Sequence, residues 1–166
     1  MIKTDRLQIR ELTPEDWQAM QEIALDFQAS KYAVYDMPLP VEEAEIRALT
    51  AQFAGSHLFF SVMLGEAMIG YVCFHEDKGL YDLGYCFHSR YQGKGYAQEA
   101  CAALMEHMEK TQTVKGFTAG TALKNTPSCK LLAKLGFVLK EHETVSFYKD
   151  QQGNDCCFEG GIFVKM

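Results

Sequence analysis

The chain has little positive charge: 16 Lys and Arg stand against 22 Asp and Glu, a net charge of -6 over 166 residues. That balance argues against general binding to nucleic acid, which needs a basic surface. It leaves room for a small cationic partner or a protein one. No apolar run is long enough to cross a bilayer. The opening "MIKTDRLQIREL" lacks the apolar core of a signal peptide. The expectation is a cytoplasmic protein that does not use a membrane. The six cysteines show no CxxC and no Cys/His ligand spacing, so no metal site is expected. Cys73, Cys86 and Cys101 sit among apolar residues and read as buried thiols of a reduced compartment. No linker, repeat or low-complexity segment divides the sequence, and one domain over residues 1–166 is expected.

What is present is a run of alternating periodicities. Arg6 to Arg10 alternates as a strand does. Thr13 then reads as an N-cap with Pro14 behind it, opening a helix whose Trp17, Met20, Ile23, Ala24 and Phe27 recur at helical spacing. "KYAVYDMPLP" reads as a loop, and Val41 to Phe53 as a second helix with Gly55 just beyond it. "HLFFSVML" and "AMIGYVCFHE" flank a tight turn at Gly65, and "LYDLGYCFH" is a further strand. Tyr96, Ala97, Ala100, Cys101, Leu104, Met105 and Met108 make one apolar helical face. "GFTAGTAL" is a strand, "NTPSCKLLAKLGF" a short helix with Leu131, Leu132 and Leu135 inward, and the rest a closing hairpin. The strand-helix-strand unit around Gly95 should be parallel and right-handed, and the other pairings mostly antiparallel.

The stretch "SRYQGKGYAQEA", Ser89 to Ala100, places Gly93 and Gly95 directly before a helix. A helix start offers unpaired N–H groups and a partial positive charge. Glycines let an anion come close to the backbone. A simple capping turn is the competing reading. The motif is neither GxxxxGK[ST] nor a GxGxxG followed by an acidic ribose ligand.

Gln92, Gly95 and Ala97 fill the Q/R-x-x-G-x-G/A pattern, and on it the chain resembles the GCN5-related N-acetyltransferases (GNAT). "TDRLQIRELTPEDW", "DLGYCFHSRYQGKGYAQEA" and "NTPSCKLLAKLGF" are similar, in that order, to segments of the branch containing RimJ and RimL. The resemblance covers nearly the whole chain. It implies an α/β (α+β) fold: a mixed, mostly antiparallel twisted sheet with a central, splayed parallel strand pair and flanking helices. It implies transfer of the acetyl group of acetyl-CoA to a primary amine, a protein N-terminus or a small molecule, by direct attack and without a metal. A CoA-binding module with weak or no catalysis, a sensor or scaffold, is the alternative. A monomer or a homodimer would serve either.

The same resemblance assigns residues. Gln92, Gly93, Lys94, Gly95, Tyr96 and Ala97 would hold the pyrophosphate, mainly through backbone N–H groups, with Gly95 too close to the ligand to bear a side chain. Backbone groups of Tyr85 and Phe87 would pair with the pantetheine arm by strand addition. The Tyr85 N–H would polarise the acetyl carbonyl. The side chains of these two residues are expected only to pack. Asn125 is both an N-cap and a contact for the CoA arm. Ser128 would protonate the leaving thiolate, or is only a polar first-turn residue. Asp82 is the nearest carboxylate for a base, or merely begins a strand. Many relatives carry a Tyr acid where this chain has Leu132, and RimL proteins a Glu near the positions of Ser146 and Phe147. Glu141, Glu143 and Tyr148 stand nearby but out of register.

Overall fold

A computed structural model describes all residues, Met1–Met166. The strands are β1 (Ile2–Lys3), β2 (Gln8–Glu11), β3 (Phe59–Leu64), β4 (Ala67–Asp77), β5 (Leu80–Phe87), β6 (Gly116–Ala122), β7 (Val138–Lys149) and β8 (Asp155–Lys165). The helices are α1 (Trp17–Gln28), α2 (Glu43–Gly55), α3 (Tyr96–Thr111) and α4 (Thr126–Lys134). One sheet runs in the order β1-β2-β3-β4-β5-β6-β8-β7. Only β5 and β6 are parallel, around the α3 crossover.

Local chemistry explains the helix starts. Pro14–Asp16 forms a single 3-10 turn before α1, and the Asp16 carboxylate accepts from the Thr13 N–H at 2.8 Å. The second helix begins two residues later than its apolar pattern suggests. The Glu42 carboxylate, at the N-cap, accepts from the N–H groups of Ala44 and Glu45. Its end also moves, because Gly55 is the last helical residue rather than the first beyond it. Residues Ala33–Tyr35, expected as loop, form one 3-10 turn.

Two apolar layers grip the sheet. On one face α3 buries Ala100, Cys101, Leu104, Met105 and Met108 against Val72, Phe74, Leu83 and Phe117. Truncating such a side chain to Ala costs about 2–5 kcal/mol. On the other face Leu12, Met20 and Ile46 pack with Trp17, Phe53, Phe59 and Tyr71 beneath α1 and α2. Arg10 ties α1 to the sheet: its guanidinium meets both Asp16 carboxylate oxygens at 2.8 Å, and Ser61 donates to the same carboxylate at 3.0 Å. Of the three thiols expected to be buried, only Cys101 is fully so; Cys73 and Cys86 lie on the α1–α2 face and are partly exposed.

Candidate active site

The parallel pair opens into a cleft. β5 and β6 are paired from Leu80↔Gly116 to Asp82↔Thr118 and no further. Beyond that, β6 is held from the other side by β8 as far as Ala122↔Gly160. A cavity of about 740 Å³ occupies the gap. The register of β5 on β4 is unbroken, and the His88 N–H donates to the Ile69 carbonyl on β4 at 2.9 Å. N–H direction alternates along a strand. Leu83, Tyr85 and Phe87 therefore turn their backbone groups away from β4 and into the gap. This is a free strand edge inside the molecule. The Phe87 carbonyl is already engaged, because the Gln92 side-chain amide donates to it at 2.8 Å. Gln92 thus ties the strand end to the loop.

The loop has the form of an anion nest. Gly93 and Gly95 take φ of 77° and 82°, in the left-handed region where only glycine is unstrained. Gly95 is the N-cap of α3, and its carbonyl accepts from the Glu99 N–H at 3.1 Å. The N–H groups from Gly93 to Gln98 have no protein acceptor. Gly93, Gly95, Tyr96, Ala97 and Gln98 line one end of the cavity together with Lys130 and Lys134 of α4. Such a run of free N–H groups at a helix start suits a diphosphate.

Arg6 braces this loop from outside. It donates to the Lys94 carbonyl at 2.9 Å, pairs with Glu99 at 2.8 Å and lies over the Tyr96 ring at 4.4 Å. Two expectations change as a result. The Lys94 side chain does not line the cavity. A Cβ added at Gly95 would approach Arg6 Nη2 at 3.3 Å, whereas one at Gly93 has nothing within 4 Å. Gly93, not Gly95, is the open position. Arg6 itself was not legible as a site residue, since its partners lie some ninety positions along the chain.

Tyr85, Ser128 and Thr121 meet at the middle of the cleft. The hydroxyls of Tyr85 and Ser128 are hydrogen bonded at 2.5 Å, and Thr121 donates to Ser128 Oγ at 3.0 Å. The Ser128 N–H donates to Asn125 Oδ1 at 3.3 Å, so the N-cap role of Asn125 is realised. Ser128 is 9% exposed. Burial raises the Tyr85 phenol well above its usual pKa, and the Ser128 bond offsets only part of that. The Tyr85 side chain, expected only to pack, is the polar group that sequence reading missed. Its partner lies 43 residues away, and no local spacing could reveal it. Leu132 is wholly buried in the core and plays no part in the cleft.

Asp82 does not join this group. It lies at the last paired position of β5 and outside the cavity, and Thr118 donates to its carboxylate at 2.8 Å. It is three residues, about 10 Å, from Tyr85, and its side chain projects from the opposite face of the strand. Burial raises its pKa, countered by Thr118 and His75. Glu143, by contrast, does line the cavity from β7, although its sequence position suggested the wrong register. The irregular pairing of β7 with β8, which shifts between Leu139 and Glu141, explains why counting failed there.

The other end of the cavity is aromatic and acidic. Tyr32, Tyr35, Phe147 and Phe158 line it with Asp26 and Asp36. Tyr35 meets Phe158 edge to face with centroids 5.1 Å apart, and Phe147 lies 6.0 Å from Phe158. Asp26 is engaged, accepting from Ser89 N–H at 2.8 Å and Ser89 Oγ at 2.6 Å. Cys86 lies beside it, its thiol pushed up to about 12 by burial and by the Asp36 and Asp26 carboxylates.

Together, the splayed strand pair, the free N–H run and the polar centre between them define an acyl-CoA transferase cleft. The chain belongs to the acetyltransferase (GNAT) domain family, whose model matches residues 6–138. It is an acetyl-CoA-dependent N-acetyltransferase. Among its relatives is the uncharacterized N-acetyltransferase YnaD of Bacillus subtilis, 33% identical over 141 residues and covered over 81% of each chain. A GNAT-family acetyltransferase from Bacillus anthracis superposes with a TM-score of 0.81 at 26% identity, over 99% of this chain and 97% of that one. The ribosomal L7/L12 alpha-N-protein acetyltransferase RimL, solved in complex with coenzyme A, shares the fold with a TM-score of 0.79 at 16% identity, covering 98% and 95%. No group of three or more His, Cys, Asp or Glu side chains is placed to hold a metal ion, and no helix is long and apolar enough to cross a membrane.

Proposed function

We propose that acetyl-CoA lies in the β5–β6 cleft with its pyrophosphate on the N–H groups of Gly93 to Gln98, and that a primary amine entering from the Asp36 end takes the acetyl group. The observation that carries this reading is the unpartnered N–H run at the mouth of a cleft with a free strand edge. The Tyr85 and Phe87 N–H groups face that cleft and suit strand-like pairing with an amide-bearing arm. Asn125 lines the same wall.

The neutral amine attacks the thioester carbonyl, whose oxygen gathers negative charge. The Tyr85 N–H is the donor positioned to stabilise it. As the C–S bond breaks, Ser128 Oγ–H gives its proton to the departing thiolate. A serine hydroxyl has one hydrogen and two lone pairs. Thr121 fills one lone pair of Ser128. In this proposal the neutral Tyr85 phenol, which can donate or accept in its bond to Ser128, donates to the other. The hydrogen is then left for the substrate. The proton lost by the amine is relayed through cavity water beside Glu143 back to Ser128 Oγ, so the serine ends as it began and the net products are amide and CoA thiol.

Two measurements test this. Acetyl-CoA should raise the melting temperature by mass action, and a flat response at millimolar ligand would remove the cofactor assignment. Ser128→Ala should lower kcat by about a hundredfold, the scale of general acid catalysis, with CoA affinity nearly unchanged. Wild-type turnover in that variant would leave Ser128 a structural residue.

A further inference from the structure

The acceptor end of the cavity carries a carboxylate that the fold does not use. Asp36 accepts one hydrogen bond, from the Met37 N–H at 2.8 Å. None of the ion pairs of the structure includes it, whereas Asp26 has Ser89 and His88. Asp36 is reached by solvent, yet enough protein surrounds it that burial raises its pKa. The two facts fit a side chain on a concave wall: open to the cavity, closed on the protein side. Its charge is felt at Cys86, the residue after Tyr85, and at Tyr71 on β4. Asp36 lines the same cavity as Tyr85 and Cys86 of β5.

Aromatic rings line the same cavity. Tyr32 and Tyr35 come from the segment between α1 and α2, and Phe147 and Phe158 from the last hairpin. Ring faces attract ammonium groups, and more strongly where water is partly excluded. Tyr32 already shows the interaction, with Lys31 Nζ 5.2 Å from its centroid. The Tyr35–Phe158 contact also bridges the two segments across this end.

We infer that the acceptor is a small alkyl amine bearing a second cationic group, and that Asp36 with Tyr35 and Phe158 binds that second cation. This rests on the transferase reading above but concerns binding alone. A free carboxylate facing aromatic walls gains from an ammonium what a neutral end group cannot offer. It also sorts substrates, because a methyl in place of the ammonium leaves the carboxylate unpaired.

The test is calorimetry on CoA-saturated protein with straight-chain diamines of increasing length. Each is compared with the monoamine in which a methyl replaces the second amino group. The best diamine should bind about tenfold more tightly than its monoamine, as one charge-assisted contact gives. Asp36→Asn should erase that preference while CoA affinity stays the same. Equal binding of every diamine and its monoamine overturns the inference, as does a preference that survives in Asp36→Asn. A diamine that binds as expected but is not acetylated supports this inference and breaks the transfer reading, so the two fail separately.

Discussion

The two ends of the cavity are built by different means. The end around Gly93 to Gln98 is built on consecutive residues whose free backbone N–H groups carry most of its chemistry, with Lys130 and Lys134 of α4 beside them. The Asp36 end is assembled from α1, the segment after it and the β7–β8 hairpin, and its chemistry resides in side chains. A backbone nest has one geometry and accepts one kind of ligand. A side-chain pocket on separate segments can change its preference by single substitutions. The family resemblance therefore speaks to the cofactor half, and the acceptor half must be read from this chain's own side chains.

The comparison can be broken most sharply at Gly93. Its φ of 77° disfavours most side chains, but Asp and Asn tolerate that region best. A new Cβ meets nothing within 4 Å. On the proposed placement of CoA, Gly93→Asp would put a carboxylate beside the diphosphate, and Gly93→Asn would supply the same shape without charge. Calorimetry should find CoA affinity reduced by about a hundredfold or more in the Asp variant, roughly 3 kcal/mol, and much less in the Asn variant. Equal losses would mean that shape, not the anion nest, governs this end. Gly95 is the poorer probe, because a side chain there meets Arg6.

A smaller effect is expected at the frame of the acceptor half. Burial alone would raise the Asp16 pKa; the Arg10 bonds, the Thr13 N–H and Ser61 outweigh it and hold the carboxylate below its usual value. A group depressed in the folded state stabilises above its unfolded pKa. That stability is lost as pH falls through the folded value. Asp16→Asn should cost about 2 kcal/mol at neutral pH, the scale of a charged hydrogen-bonded pair, by urea unfolding. The gap from wild type should close below about pH 4, and a gap independent of pH would point to packing instead.

The smallest effect sharpens the boundary between the halves. Tyr85→Phe removes one donor from Ser128 without removing the Tyr85 backbone. It should lower kcat by about tenfold, near 1.4 kcal/mol, with CoA affinity unchanged. In combination with Ser128→Ala it should add nothing, because both act on one proton. Additive losses would separate the two hydroxyls.

Apart from the two-residue strand β1, the order of elements, the parallel unit around α3 and the N-cap role of Asn125 were legible in the sequence. Each depends on residues close together along the chain: period-2 or helical patterning, glycines before a helix, an Asn before Pro127. The nest belongs to the same class, since successive N–H groups need only local dihedral angles. Tertiary structure alone decided the rest. It brought Tyr85 to Ser128, Arg6 to the glycine loop and Glu143 into the cavity, and it left Asp82 outside. Those contacts depend on where strands splay and where a hairpin shifts register. Such features arise from packing between distant segments, and local spacing does not encode them.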